Sequence, residues 1–188
     1  MSTTYYTLMD SPIGELLLVG NGVALTRLHM RGGRTLGSID PAWRRDDASF
    51  GDAPAQLDEY FAGERREFSV PLAPAGGAFE RRVWDELLAI PYGSTASYGA
   101  IATRVSAPGA ARAVGLANGR NPIAVIVPCH RVIGADGSLT GYGGGLERKR
   151  LLLDLEAGVI PLAAARGDQQ RRVDFVPVAD DPAPVAAA

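Results

Sequence analysis

The sequence predicts an α+β (mixed α/β) chain in two parts, a small N-terminal unit of sheet plus one helix and a mainly helical second unit holding a helix-turn-helix. Three observations predict it. Three short β-rich runs near the start are punctuated by turn residues, "APAGGA" (73–78) separates two halves of different character, and two short helical patterns flank "SAPG". With 188 residues, 46% of them apolar, the chain can bury a real core.

Taken in order, "TTYYTLMDSPIGELLLVGNGVALTRLHM" gives three strands broken by "DSPIG" and "GNG", the punctuation of a meander. His29 sits alone in the third run and reads as a structural or surface histidine. From Arg31 to about Asp52 no period is visible and a loop is expected. "APAQLDEYFAGE" sets Leu57, Tyr60 and Phe61 on one helical face and stops at Gly63. "REFSVPL" reads as a further strand. After the linker, "AFERRVWDELLAI" places Phe79, Val83, Leu87 and Leu88 at helical spacing before Pro91 and Gly93 end it. "STASYGAIATRV" offers Ser94, Thr95 and Ser97 as N-caps. The helix "AARAVGLANG" follows "SAPG". It is nearly bare on one side (Ala110, Ala111, Ala113, Gly115, Ala117), with Arg112 projecting from that surface. Glycine in a helix costs about 1 kcal/mol against alanine, so close packing or close approach to a groove is expected there. "IAVIV" reads as a buried strand leading to Cys129, "GADGSLTGYGGG" as a glycine-rich loop, and "LERKRLLLDLE" as the last helix. The expected units are 1–73 and 74–160, with 161–188 a flexible tail whose "VDFVP" is its one segment able to pack.

Composition excludes several classes. No apolar run is long enough to span a bilayer, and the start lacks the charged and apolar regions of a secretory signal. One cysteine rules out an internal disulfide framework and fits a reducing cytoplasm; with only two histidines, no metal centre is expected. Net charge is −2, but unevenly placed: residues 1–73 carry −3, residues 74–150 carry +4, and the remainder −3. A basic half in an acidic chain points to an anionic partner, and on charge alone a solvated surface explains it equally well. The glycine-rich loop lacks the Lys-Ser/Thr ending of a phosphate-binding loop, so no nucleotide cofactor is expected.

The lone thiol, Cys129, stands beside His130, one of the two histidines. A free thiol with a pKa near 8.5 is only a few per cent ionised at neutrality, so a reactive one needs a base or cation at hand. In an extended segment neighbouring side chains face opposite ways, so His130 would reach the sulfur through a bend or a water. Glu156, late in the last helix, is the candidate to fix the imidazole, and Pro128 to stiffen the approach.

"DSPIGELLL", "IPYGSTASYGAIA" and "AARAVGLANGRNPIAVIVPCHRVIGADGSLTGYGGGLERKRLLLDLE" together resemble the O6-alkylguanine-DNA alkyltransferases, also called methylated-DNA–protein-cysteine methyltransferases, over residues 5 to 157. "PCHRVIG" is the specific motif. The resemblance implies a ribonuclease-H-like N-terminal unit and a winged-helix-like DNA-binding unit. It implies irreversible transfer of an alkyl group from O6-alkylguanine, with O4-alkylthymine left open, in a flipped-out base to Cys129. His130 would act through water as base and Glu156 would orient it, while Asn121 would brace the histidine and the turn. Tyr98 would help rotate the nucleotide out and protonate the leaving guanine. Arg112 would fill the vacated stack, with Ser97, Ala110, Ala111 and Gly115 on the same DNA-facing surface. Tyr142, Gly143, Gly144, Pro128 and the Val132 backbone would form the guanine pocket. The expected partner is double-stranded DNA carrying alkylated bases, bound by a protein that is a monomer in solution, with cooperativity left open and no cofactor or membrane involved. Many relatives have serine where Gly143 stands, so that contact must come from backbone or be absent. A non-catalytic lesion sensor, a Cys-His hydrolase and a plain transcription regulator are the alternatives. The first would lack the cysteine, the second places Cys and His in an unusual layout, and the third leaves the thiol unexplained.

Overall fold

The computed structural model describes residues 3–30 and 39–159. β1 (Tyr5–Met9), β2 (Leu16–Gly20) and β3 (Leu25–Met30) form the expected antiparallel meander. β2, an unbroken apolar run, is buried along its whole length, as expected of a central strand covered on both faces. β4 (Arg44–Arg45) pairs in parallel with β1, giving the order β3-β2-β1-β4. α1 (Ala53–Phe61) packs Leu57, Tyr60 and Phe61 inward, and Gly63 ends it with φ +78.

Two expectations in this half fail. "REFSVPL" is not a strand. Leu25 N–H donates to Pro71 O at 2.8 Å and Ala73 N–H to Leu25 O at 2.9 Å, and the pairing stops there because Pro71 has no N–H to extend a ladder. The expected loop before Asp52 contains β4 and a 3-10 turn (Asp47–Phe50). Both are held by polar contacts that leave no hydrophobic period: Asp46 accepts from Ala48 N–H, and Thr7 Oγ1 donates to Asp47 Oδ1 at 2.6 Å. Residues 31–38 of that loop, and the tail with "VDFVP", lie outside the described residues.

The second half holds α2 (Ala78–Leu88), β5 (Ala96–Ser97), α3 (Tyr98–Arg104), α4 (Ala111–Gly119), β6 (Val132–Ile133) and α5 (Leu146–Glu156), with β5 and β6 paired in parallel. Val83 and Leu87 are buried as expected, but Leu88 is 48% exposed. Its place is taken by Trp84, whose Nε1–H donates to Ala117 O at 2.9 Å and ties α2 to α4. Ser97 is the N-cap of α3, its Oγ accepting from Ala100 N–H at 3.0 Å.

"IAVIV" is buried but is not a strand. Val125 has φ 70, and the segment turns. It docks on the free edge of β3, where Leu28 N–H donates to Pro122 O at 2.8 Å and Ala124 N–H to Leu28 O at 3.1 Å. The segment before the cysteine is therefore shaped by the first half of the chain. One hydrophobic cluster, from Leu16 and Leu57 through Val83 and Ile101 to Leu152, runs through both halves. The α+β class holds, with a sheet-plus-helix first half and a helical second half carrying the helix-turn-helix α3–α4. Among the described residues no helix is long and apolar enough to cross a membrane.

Candidate active site

Cys129, His130 and Arg131 form a single 3-10 turn after Pro128, not the extended segment expected, and all three are buried. The turn sends the side chains to different neighbours. His130 Nε2 lies 2.8 Å from Glu156 Oε1, while Arg131 donates from Nε to Oε2 at 2.9 Å, from Nη2 to Oε1 at 3.0 Å and from Nη1 to Ile90 O at 2.6 Å. Glu156 ends α5 and also accepts from Gly93 N–H at 3.2 Å. Gly93 has to be glycine here: its φ is +74, and a Cβ would sit 2.9 Å from Glu156 O.

These contacts settle the charges. Burial alone would raise the Glu156 pKa, but His130 and Arg131 outweigh it and hold the carboxyl well below the usual carboxylate range. An ionised carboxylate has no proton to give, so His130 Nε2 carries the shared hydrogen. Burial pushes the imidazole below its usual value, against the pull of Glu156, so it is neutral near pH 7 and Nδ1 is a bare acceptor. That Nδ1 is buried without a hydrogen-bond partner. The thiol itself is pushed up by burial, and the Asn121 amide and the Lys149 charge only partly offset the rise. At rest it is a protonated thiol.

Cys129 opens onto a cleft of about 30 Å³ lined by His29, Met30, Asn118, Gly119, Asn121, Ala124, Tyr142, Gly143 and Gly144. This holds a water and not a purine. α4, the second helix of the helix-turn-helix, supplies Asn118 and Gly119 to the same cleft, so the cleft that Cys129 lines is bordered by the helix-turn-helix.

The structure distributes the other expected residues as follows. Tyr142, Gly143 and Gly144 line the cleft; Pro128 and Val132 are buried and do not. Val132 O instead accepts from Lys149 Nζ at 2.5 Å, which also donates to Thr140 O at 2.8 Å. Asn121 braces the turn, donating to Val127 O at 2.8 Å and accepting from Ile123 N–H at 3.0 Å. No hydrogen bond joins it to the His130 ring, because its amide groups are taken by the Ile123 and Val127 backbone. Tyr98 begins α3, donates to Thr140 O at 3.3 Å, and lies over Gly115, where a Cβ would stand 3.7 Å from its ring. Ser97 and Ala110 precede their helices half-buried, Ala111 is half-buried, and Arg112 is exposed on α4.

Sequence profiles of two domains match, "6-O-methylguanine DNA methyltransferase, ribonuclease-like domain" over residues 4–74 and "6-O-methylguanine DNA methyltransferase, DNA binding domain" over residues 78–158. The chain belongs to the 6-O-methylguanine DNA methyltransferase family. Similar members include the methylated-DNA–protein-cysteine methyltransferase of Mycobacterium tuberculosis, 57% identical over 157 residues (84% of this chain, 94% of the relative). That of Methanosarcina acetivorans is 50% identical over 152 residues (81% and 97%). Among solved structures, M. tuberculosis OGT in complex with DNA matches with TM-score 0.76 at 58% identity, covering 82% of this chain and 93% of that one.

Within this methyltransferase fold, several residues at the site escaped the sequence reading. Arg131, Lys149, Asn118, His29 and Tyr60 each reach the cleft or its charged network, and all but Arg131 carry no local signal. Arg131 and Lys149 look like surface cations, and His29 like a stray histidine in a strand. Only "PCHR" itself, with Arg directly after the Cys-His pair, could have pointed to one of them.

Proposed function

We propose that the protein reverses alkylation damage directly, moving the alkyl group of O6-alkylguanine in duplex DNA onto Cys129. The single observation that carries it is the state of His130, next in sequence to the chain's one cysteine: Nε2–H is fixed on an ionised Glu156, and Nδ1 is left bare and unpartnered. In the reaction the thiol proton passes through a bridging water to Nδ1, and the charge on the imidazolium is met by Glu156. The sulfur then attacks the alkyl carbon in line; the S–C bond forms as the C–O bond breaks, and the electron pair leaves on the guanine. Tyr98 supplies the proton that the departing base takes up, and the imidazolium proton returns through solvent to the tyrosinate, leaving both groups neutral. The thioether has no route back, so each molecule acts once.

Entry of the base requires its extrusion from the duplex, at a cost of a few kcal/mol, and exposed Arg112 on α4 fills the gap while the small residues around it allow close approach. M. tuberculosis OGT, similar over most of this chain, has been solved with DNA. We assign residues 1–73 to a supporting unit and 74–160 to the unit that binds DNA and bears the thiol, with the protein acting as a monomer. A catalytic thiol needs a reducing compartment, which supports a cytoplasmic location. The test is incubation with a duplex containing O6-methylguanine, followed by mass spectrometry of tryptic peptide 121–131. The expected peptide is heavier by one CH2 on Cys129, and Cys129→Ser binds the duplex yet gains nothing. An unmodified peptide from folded, duplex-bound protein would overturn the reading.

A further inference from the structure

Tyr60 lies in α1, in the half of the chain with no expected part in the chemistry, yet its hydroxyl donates to Glu156 Oε1 at 2.7 Å across 96 residues of sequence. The same oxygen accepts from His130 Nε2 at 2.8 Å. Tyr60 is fully buried, and its ring is locked by Phe61, Phe68 and Tyr92, with centroids 5.4, 5.3 and 6.1 Å away. Phenylalanine would fill that space equally well, so the hydroxyl is what the position adds. We propose that Tyr60 is a positioning residue of the transfer reaction: by sharing the Glu156 oxygen with His130, it sets how strongly the carboxylate holds the imidazole, and so the pH range in which His130 can take the thiol proton. This rests on the alkyl-transfer reading above and adds a residue of the first half to the relay.

The reasoning is a competition for one oxygen. Each donor to Oε1 drains negative charge from it, and less remains to stabilise the imidazolium that forms when His130 accepts a proton. Without the Tyr60 hydroxyl, Glu156 stabilises imidazolium better, and His130 becomes protonated at higher pH. A protonated His130 cannot accept the thiol proton, so the acid side of the rate profile moves up. The other charged or titratable groups facing the pair are Arg131 on the same turn, Tyr92 after α2, Lys149 on α5, and Tyr142 and Cys129 at the cleft. None of these is altered by removing one hydroxyl. The Gly93 N–H and two Arg131 donors remain on Glu156, so the carboxylate stays ionised and held. Tyr60 lies on α1, so the relay is complete only when the first half is docked on the second.

The test measures the second-order rate of alkyl transfer to Cys129 from an O6-methylguanine duplex against pH, for the full chain, Tyr60→Phe, and protein with 3-fluorotyrosine placed at position 60. Tyr60→Phe is expected to move the acid midpoint up by about half to one pH unit, a loss of roughly three- to tenfold on that limb. The plateau above it should change by less than about twofold. The more acidic fluorophenol donates more strongly and should move the midpoint the other way. A Tyr60→Phe profile with an unmoved midpoint, whatever its melting temperature, overturns the proposal, because a purely structural tyrosine lowers stability without shifting the titration. Should Tyr60→Phe fail to fold, the fluorotyrosine protein decides alone, and an unmoved midpoint there overturns the proposal equally. If the unaltered chain transfers nothing to Cys129 at any pH, the alkyl-transfer reading itself fails, an outcome distinct from a working enzyme with an insensitive midpoint.

Discussion

Replacing Glu156 with glutamine keeps the shape of the side chain and removes its charge, and the structure allows the cost to be worked out. Glu156 accepts from Tyr60, His130, Arg131 (twice) and Gly93, and has no donor of its own to place. Glutamine has one oxygen and one NH2. With the oxygen at the His130 side, the NH2 confronts Arg131 Nε–H and Gly93 N–H; flipped, it confronts Tyr60, His130 and Arg131 Nη2. Either way Arg131, only 6% exposed, keeps a full charge with no counter-charge. Stranding a buried cation in this way costs about 3–5 kcal/mol, which for a chain of this size is a fall in melting temperature of roughly 6–20 °C. The chemistry suffers separately. An NH2 facing Nε2 forces the hydrogen onto Nδ1 and removes the acceptor the thiol needs, a loss on the order of 10²–10⁴ in transfer rate. Circular-dichroism melts and single-turnover transfer measured at low temperature separate the two effects. Adding Arg131→Met to Glu156→Gln should recover part of the stability, since the stranded charge is gone, and none of the rate. A Glu156→Gln protein melting within about 2 °C of the parent would refute the charge argument. One transferring within about threefold of it would refute the part given to the Glu156 carboxylate in the proton relay.

Further outcomes follow from the same geometry. Arg112→Ala should slow repair of duplex DNA by about tenfold or more while changing reaction with free O6-benzylguanine by less than about twofold, and equal losses on both would remove the stack-filling role. Gly144→Ala places a Cβ 2.6 Å from Met30 Sδ and 2.9 Å from Tyr142 Cε1. It should cost about 1–3 kcal/mol in a melt and slow benzyl transfer more than methyl transfer. Acid should destabilise the fold through Glu156, whose folded pKa is depressed although burial opposes this. Its contribution is complete above the unfolded value of about 4.3 and is lost as pH falls through the folded value, so the melting temperature should drop below about pH 4, less steeply in Glu156→Gln.

What the sequence disclosed and what it hid divide along one physical line. The meander was readable because Leu16–Gly20 is an apolar run and Leu25–Met30 a mixed β-rich one, each bounded by turn residues, and α1 because Leu57, Tyr60 and Phe61 recur at helical spacing. Cys129, His130 and Glu156 were readable because scarce residue types stand in a specific motif or late in a patterned helix. The hidden parts are those whose form is decided by distant partners. "IAVIV" has the composition of a strand, but Pro122 and Ala124 bond to the edge of β3, and the chain then turns at Val125. Arg131 and Lys149 carry charges that a sequence reader places in water, yet one is neutralised by a glutamate 25 residues away and the other capped by two carbonyls. Tyr60 was correctly assigned to the core for its ring, while its hydroxyl, the part that reaches the relay, has no expression in a hydrophobic period. Periodicity reports which face of an element is buried and nothing of what that face meets. In this protein the end of α5, the Cys129 turn and α1 converge on one carboxylate. Under the proposed mechanism, the first half of the chain would therefore bear on the rate of a reaction whose nucleophile and base both lie in the second.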